Sequence, residues 1–369
     1  AGGGTSLPTN DDFNRTSPLI PGQKIGHLKF ILDNSFRLGK NRLALNVGWQ
    51  SNSRKEFGDA DAPQEEELYF QLRTINYNAL YHFADKNGWT NSIGINGMQQ
   101  QNKNKGTEVL IPEYRLFDIG AFIYLQKTKG AFTYSGGIRF DNRTLHSDKF
   151  VESNETKFQA FSKNFRNVSG SAGISYAASE KVLFKLNVAK GFRAPGIPEL
   201  ASNGTHEGTN RYEYGNRNLK SESSFQADAA VEVASDHVLF TAALFYNRIN
   251  NFIYYSKLQS QSGTDSVVDV NGDLTPAFAF AQKNASLFGG EFSIDIHPHP
   301  LDWLHWENTF SYVRGRFATA VENTINLPLI PAARWISEVR GEFFAAGKSL
   351  RNLAVHMEVD RTFAQNKNF

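Results

Sequence analysis

His206, Glu207 and Glu213 stand close together in a stretch punctuated by Gly204, Gly208 and Gly215. Imidazole is a good ligand for iron and for zinc. The two carboxylates beside it suit a cation such as zinc better than they suit the propionates of a haem. His206 also reads as a solvated loop histidine, or as one that hydrogen-bonds a neighbouring strand. His146 with Asp148 is a second pairing of ligand types. His297-Pro298-His299-Pro300 has the look of a metal tract, but histidines flanked by prolines fit a rigid chain reversal better. Catalytic constellations are missing: there is no Gly-x-Ser-x-Gly elbow, no His-Glu-x-x-His pair and no phosphate loop. The chain has no Cys, which removes disulfides and thiolate metal sites. Neither an enzyme nor a resident cofactor is expected.

The elements that must position these residues are strands. In 369 residues no apolar run approaches the roughly 18 that a membrane helix needs, which excludes a helical membrane protein. Phe is abundant at 30 and Tyr at 13, a bias that favours strands and membrane interfaces. Lys+Arg at 39 nearly balances Asp+Glu at 37, and no basic patch points to nucleic acid.

The chain alternates with period two many times over. Phe132, Tyr134, Ile138 and Phe140 share one face of a segment whose other face is polar or small. Leu43, Leu45, Val47 and Trp49 oppose Ala44, Asn46, Gly48 and Gln50. Val182, Phe184, Leu186 and Val188 behave likewise, as do Leu353, Val355, Met357 and Val359. Strands are expected near 25–35, 42–53, 67–83, 89–102, 115–128, 131–144, 167–178, 181–192, 222–234, 238–252, 277–296, 303–316, 332–345 and 349–364. Short turns such as Lys129-Gly130 and Ala178-Ser179-Glu180 alternate with long loops near 54–66, 103–114, 145–166, 193–221, 253–276 and 317–331. Short turns at one end and long loops at the other fit a transmembrane antiparallel up-and-down β-barrel, apolar face to lipid, polar or small face to the lumen. Trp49, Trp89, Trp303, Trp306 and Trp335 fall where aromatic girdles would sit.

One stretch is more specific. It contains Phe192-Arg193-Ala194-Pro195 and then Asn216-Arg217-Asn218-Leu219-Lys220-Ser221-Glu222. Gly191 and Pro195 end a strand, and Asn216 and Asn218 favour a turn. The stretch resembles the barrel signature of TonB-dependent outer-membrane receptors. The first box matches fully; the second has lost both of its prolines. Arg54 with Glu56-Phe57, Leu110-Ile111-Pro112, Gly137-Ile138-Arg139-Phe140-Asp141 and Leu327-Pro328-Leu329-Ile330-Pro331 are similar to the family too.

The resemblance implies active import of a scarce solute, an iron-siderophore or haem first, and zinc or another metal second. A passive porin-like barrel is the reading from another class. Implied partners are the TonB complex, acting through an N-terminal region, outer-membrane lipid, and the barrel assembly machinery during insertion. Residues 1–369 would form about 14 strands of an expected barrel of about 22, with the plug, first strands and last strands outside the chain. His206, by the same resemblance, lies where haem receptors place an iron ligand. Arg193 fits a structural place at the rim better than a ligand's. Phe150, Phe158, Phe161 and Phe165 would meet an aromatic cargo or cap one another.

Overall fold

The computed structural model describes residues 10–14, 16, 21–58, 62–206, 211–270, 272–343, 351–367 and 369. After a short helix α1 (Asn10–Asn14), the chain runs through β1 (Gly22–Leu38), β2 (Asn41–Phe57), β3 (Leu68–His82), β4 (Trp89–Asn104), β5 (Tyr114–Lys129) and β6 (Phe132–Ser147). A hairpin, β7 (Phe150–Glu152) and β8 (Glu155–Phe158), precedes β9 (Phe161–Ser179) and β10 (Val182–Arg193). Helix α2 (Ile197–Ala201) and the pair β11 (Asn203–His206) and β12 (Arg211–Tyr214) lead into β13 (Glu222–Ala234) and β14 (Val238–Lys257). The rest is β15 (Val267–Val270), β16 (Asp273–Ile296), β17 (Leu304–Val321), β18 (Thr324–Asn326), β19 (Arg334–Phe343) and β20 (Leu353–Thr362).

Every expected strand forms. Each long strand pairs antiparallel with the next long strand in the chain, from β1–β2 through β19–β20. Among the described strands, β1 pairs with β2 alone and β20 with β19 alone, so the sheet is an open arc with two free edges. Among the described residues no helix is long and apolar enough to cross a membrane. The turn at Asn87-Gly88 has positive φ at both residues, 53° and 76°, which matches the right-handed twist of the strands it joins.

The loops differ from expectation. Stretches read as irregular carry β7, β8, β11, β12, β15 and β18, and β6, β9, β14 and β17 run well past the width needed to cross a bilayer. Extended strand ends give the loops edges to pair with. Thus β12 adds in parallel to β16, Tyr212 opposite Ala277, and carries β11 with it.

The outer face is apolar, as Phe30, Ile95, Ile138, Leu186, Leu244 and Met357 show by their exposure. At its short-turn end Trp89, Trp303 and Trp306 stand out, with Trp303 against Phe343 at 5.1 Å and Phe132 against Tyr176 at 4.6 Å. The inner face divides in two. Toward the short turns it is polar: Asn46 Nδ2 donates to Asp33 Oδ1 at 2.6 Å, Asn78 Nδ2 to Asn46 Oδ1 at 2.9 Å, and Lys185 Nζ to Glu232 Oε1 at 2.5 Å. Toward the long loops it is apolar on β3, β5, β6 and β9, while β2 and β4 stay polar through Asn52, Arg54, Glu56 and Asn102. Leu68, Leu116, Leu145 and Phe165 are buried there under Leu110, Ile111, Ile197, Leu200 and Leu219 from the loops. A uniformly polar or small lumen face is therefore half right: where loops fold inward, burial favours an apolar wall.

Candidate functional site

The first box ends β10, and Arg193 is its hub. Arg193 Nε donates to Glu222 Oε2 at 2.7 Å, and its Nη1 donates to both oxygens of Glu199 at 2.8 and 2.9 Å. The carboxylates are fixed in turn. Glu199 Oε2 accepts from the Gly196 amide at 2.7 Å, and Glu222 Oε1 from the Ile253 amide at 2.6 Å. Such charge-assisted bonds are the strong ones. The clamp joins the end of β10, the short helix α2 and the starts of β13 and the loop-end half of β14.

The second box holds the loop's other end. Asn216 Oδ1 accepts from the Asn218 amide at 2.9 Å, and its Nδ2 donates to the Phe280 carbonyl at 3.1 Å. Leu219 is buried beside Ala194, and Pro195 is fully buried. Gly215 passes so close to Ala201 and Ser202 that a Cβ would collide with their backbone. Phe192 lines an inner cavity of 370 Å³ with Arg139, Asp141, Asp118 and Arg143. There Arg143 forks onto Asp118 at 2.8 and 2.6 Å.

Glu213 lies on β12, 2% exposed, with Arg211 Nε at 2.9 Å. The Arg211 guanidinium stacks over the Tyr255 ring at 4.2 Å, and Tyr255 packs on Phe280. The Tyr212 hydroxyl donates to Asn203 Oδ1 at 3.0 Å. Burial, reinforced by Tyr214, Glu152 and Glu108, pushes its phenol up to about 12.

Glu213 and Tyr255 reach a cavity of 430 Å³ on the inner face. Its polar lining is Asn52, Arg54, Glu56, Asn102 and Tyr114; Leu68, Phe70, Leu72, Leu110 and Ile111 supply the apolar side. Arg54 pairs with Glu56; its side chain is 42% exposed, but its Nε is shielded and has no hydrogen-bond partner among the described residues. Such a site offers phenol, carboxamide and guanidinium donors over an apolar floor. It suits an organic molecule carrying anionic oxygens.

The expected ligand residues are only partly gathered. Glu213 reaches the cavity. The His206 backbone pairs with Arg211 in the β11–β12 ladder, and Glu207 lies outside the described residues. His146 is exposed, its Nδ1 2.8 Å from Ser162 Oγ, on the opposite side of the wall from Leu145 and hence from the cavity. Phe150 and Phe158 pack on each other at 6.2 Å with Phe158 buried, Phe165 is buried in the wall, and Phe161 lies under the Arg217 guanidinium at 5.2 Å. Sequence reading passed over Tyr114, Tyr255, Asn52, Asn102 and Arg211. The available signal was parity: Asn52, Arg54 and Glu56 continue the wet face of β2.

The sequence pattern of a family described as "TonB dependent receptor-like, beta-barrel" matches residues 3–343. Among solved structures, the copper transporter OprC aligns with a TM-score of 0.69 at 14% identity, over 94% of this chain and 53% of that one. The FrpB iron transporter from Neisseria meningitidis aligns with a TM-score of 0.64 at 13% identity, over 90% and 50%. The Serratia marcescens hemophore receptor HasR, solved with its hemophore HasA and heme, gives 0.63 at 13%, over 87% and 56%. At these identities the likeness is one of fold. The chain spans about half the length of the structures it matches.

Proposed function

The chain belongs to the TonB-dependent receptor β-barrel family, and on that premise we propose that it forms the wall of an outer-membrane receptor that imports an iron chelate, a siderophore complex or haem, by TonB-coupled transport. In this reading the long loops face outward and the short turns face the periplasm. A plug and further strands complete the pore, and TonB acts on the plug. The family consists of transport receptors.

The observation that carries the cargo class is the 430 Å³ cavity with the unpaired Arg54 Nε in its lining. A shielded guanidinium N–H left without an acceptor is unfavourable, here by less than the about 1–3 kcal/mol of a fully buried group because the Arg54 side chain is 42% exposed. A carboxylate, catecholate or hydroxamate oxygen would relieve it. Both lining carboxylates already face an arginine, Glu56 with Arg54 and Glu213 with Arg211, and the described lining carries no imidazole. That donor set fits metal arriving inside an organic chelate.

Import of zinc or another metal is the second reading. The ligand types of His206 and Glu207 favour it. Under either reading His206, Glu207 and Glu213 are proposed as cargo contacts at the loop end, with His146 a weaker candidate on the outer side. Growth of iron-starved cells on a panel of ferric chelates and haem, with and without the gene, tests the proposal. Loss of growth on one chelate supports it. Unchanged growth on all of them, with zinc or copper uptake reduced instead, selects the second reading.

A further inference from the structure

At the short-turn end of the wall, Asp295 closes β16 and His305 opens β17, with His297 just beyond β16. The register sets Ile296 opposite Trp306 and Asp295 opposite Glu307, so Asp295, His297 and His305 share the inner face. Asp295 Oδ2 lies 3.1 Å from His305 Nδ1 and 3.8 Å from His297 Nδ1. One ligand atom from each of the three falls within 4.8 Å of the others. The two imidazole rings are 5.3 Å apart. All three side chains are about four-fifths buried, at 20–23% exposure.

A plain hydrogen bond between Asp295 and His305 accounts for part of this arrangement. Among the described residues it leaves Asp295 Oδ1 and His297 Nδ1 buried with no hydrogen-bond partner. Two lone-pair atoms without donors, side by side on a half-buried wall, are what a cation satisfies.

We propose that Asp295, His297 and His305 form a binding site for a divalent transition ion of the zinc type. Two imidazoles and a carboxylate are a common three-ligand set for zinc. Tetrahedral zinc with ligands at about 2.0–2.1 Å needs donor atoms about 3.3 Å apart, so the spread here closes by small rotamer changes. Three protein ligands leave the fourth position open and the ion exchangeable. A second pair of imidazoles stands next to the site. The His237 ring lies 6.3 Å from His297 and 5.9 Å from His299, and the His297 amide donates to the His237 carbonyl at 3.0 Å, tying the two turns together. The site is independent of which cargo crosses the wall; its placement at the periplasmic mouth of the lumen rests on the proposed orientation.

The test uses the full-length receptor in detergent, stripped of metal and titrated calorimetrically with Zn²⁺, with the visible spectrum of Co²⁺ as a second readout. One Zn²⁺ equivalent is expected that Asp295→Asn, His297→Ala and His305→Gln each weaken at least tenfold, with loss of the tetrahedral Co²⁺ bands. His356→Ala, on β20, should retain it. Asp295→Asn is isosteric, and a heat-dependent shift in gel mobility reports that each variant is folded. Unchanged affinity and stoichiometry in all three folded variants would overturn the assignment.

Discussion

Leu145 and Asp141 lie on the same strand, β6, and face the same side of the wall. Leu145 is 1% exposed in a core of loop and wall side chains, whereas Asp141 takes Arg139 Nε at 2.8 Å beside a polar cavity. The difference lies in what covers each position. At the loop end, α2 and the segments around Leu110 and Leu219 fold over the inner face and exclude water. Nearer the turns no described segment folds over the wall, and the inner face carries amides and ion pairs. The inner face of a barrel strand thus changes chemistry along its length.

The largest test of this contrast compares two leucines. Leu200 is fully buried, and Leu200→Ala should destabilise the loop end by about 2–5 kcal/mol through lost burial and a cavity. Leu244 stands 68% exposed on the outer face. Leu244→Ala should cost less, about 1–2 kcal/mol, because it loses only its transfer from water to lipid while lipid tails fill the space it leaves. Urea unfolding of the lipid-reconstituted receptor measures both, and equal losses would break the comparison.

Next comes the clamp. Arg193→Ala leaves Glu199 and Glu222, 17% and 12% exposed, without their cation. A loss of about 2–3 kcal/mol is expected, below the 3–5 of a fully buried pair because the guanidinium is half-exposed and screened. Limited proteolysis should then cut within 194–221 while the long strands stay intact. Arg193→Lys should recover part of the loss, since it keeps the charge without the fork.

The smallest effect concerns pH. Burial raises the Tyr212 phenol from about 10 to about 12, so the folded state holds that proton more tightly than the unfolded one. Its contribution is full below pH about 10 and fades as pH rises toward about 12. The β11–β12 segment should loosen across that window, and Tyr212→Phe should remove that part of the alkaline transition. Hydrogen exchange at its amides reads both.

Most of the sheet was legible in the sequence, because period-two alternation is a local signal and fourteen segments carry it. The inward-folded loops were not. Leu68, Phe70 and Leu72 put apolar residues on the inner parity of β3, and from Ile75 to Tyr81 the outer parity takes over. That switch marks where the wall goes from covered to wet, but Leu200, which covers it, is more than a hundred residues away in the chain. The boxes announced a special loop, since glycine, proline and asparagine restrict the backbone locally, but not the pairing of Arg193 with Glu199 and Glu222. The cavity was hidden for the same reason as the core: Arg54, Tyr114, Glu213 and Tyr255 converge through pairing and loop docking. His305 was hidden until the register of β16 and β17 placed it beside Asp295.

The central claim, that the loop-end cavity receives an anionic metal chelate, is tested most directly by uptake of radioiron chelates into energised cells. The comparison is between the full receptor and its Arg54→Gln variant, each present at equal levels in the outer membrane. Saturable uptake of one chelate is expected, with roughly tenfold weaker apparent affinity in the variant, the loss of about one charge-assisted hydrogen bond. Identical uptake curves for every chelate, or no uptake by the full receptor, would contradict the account.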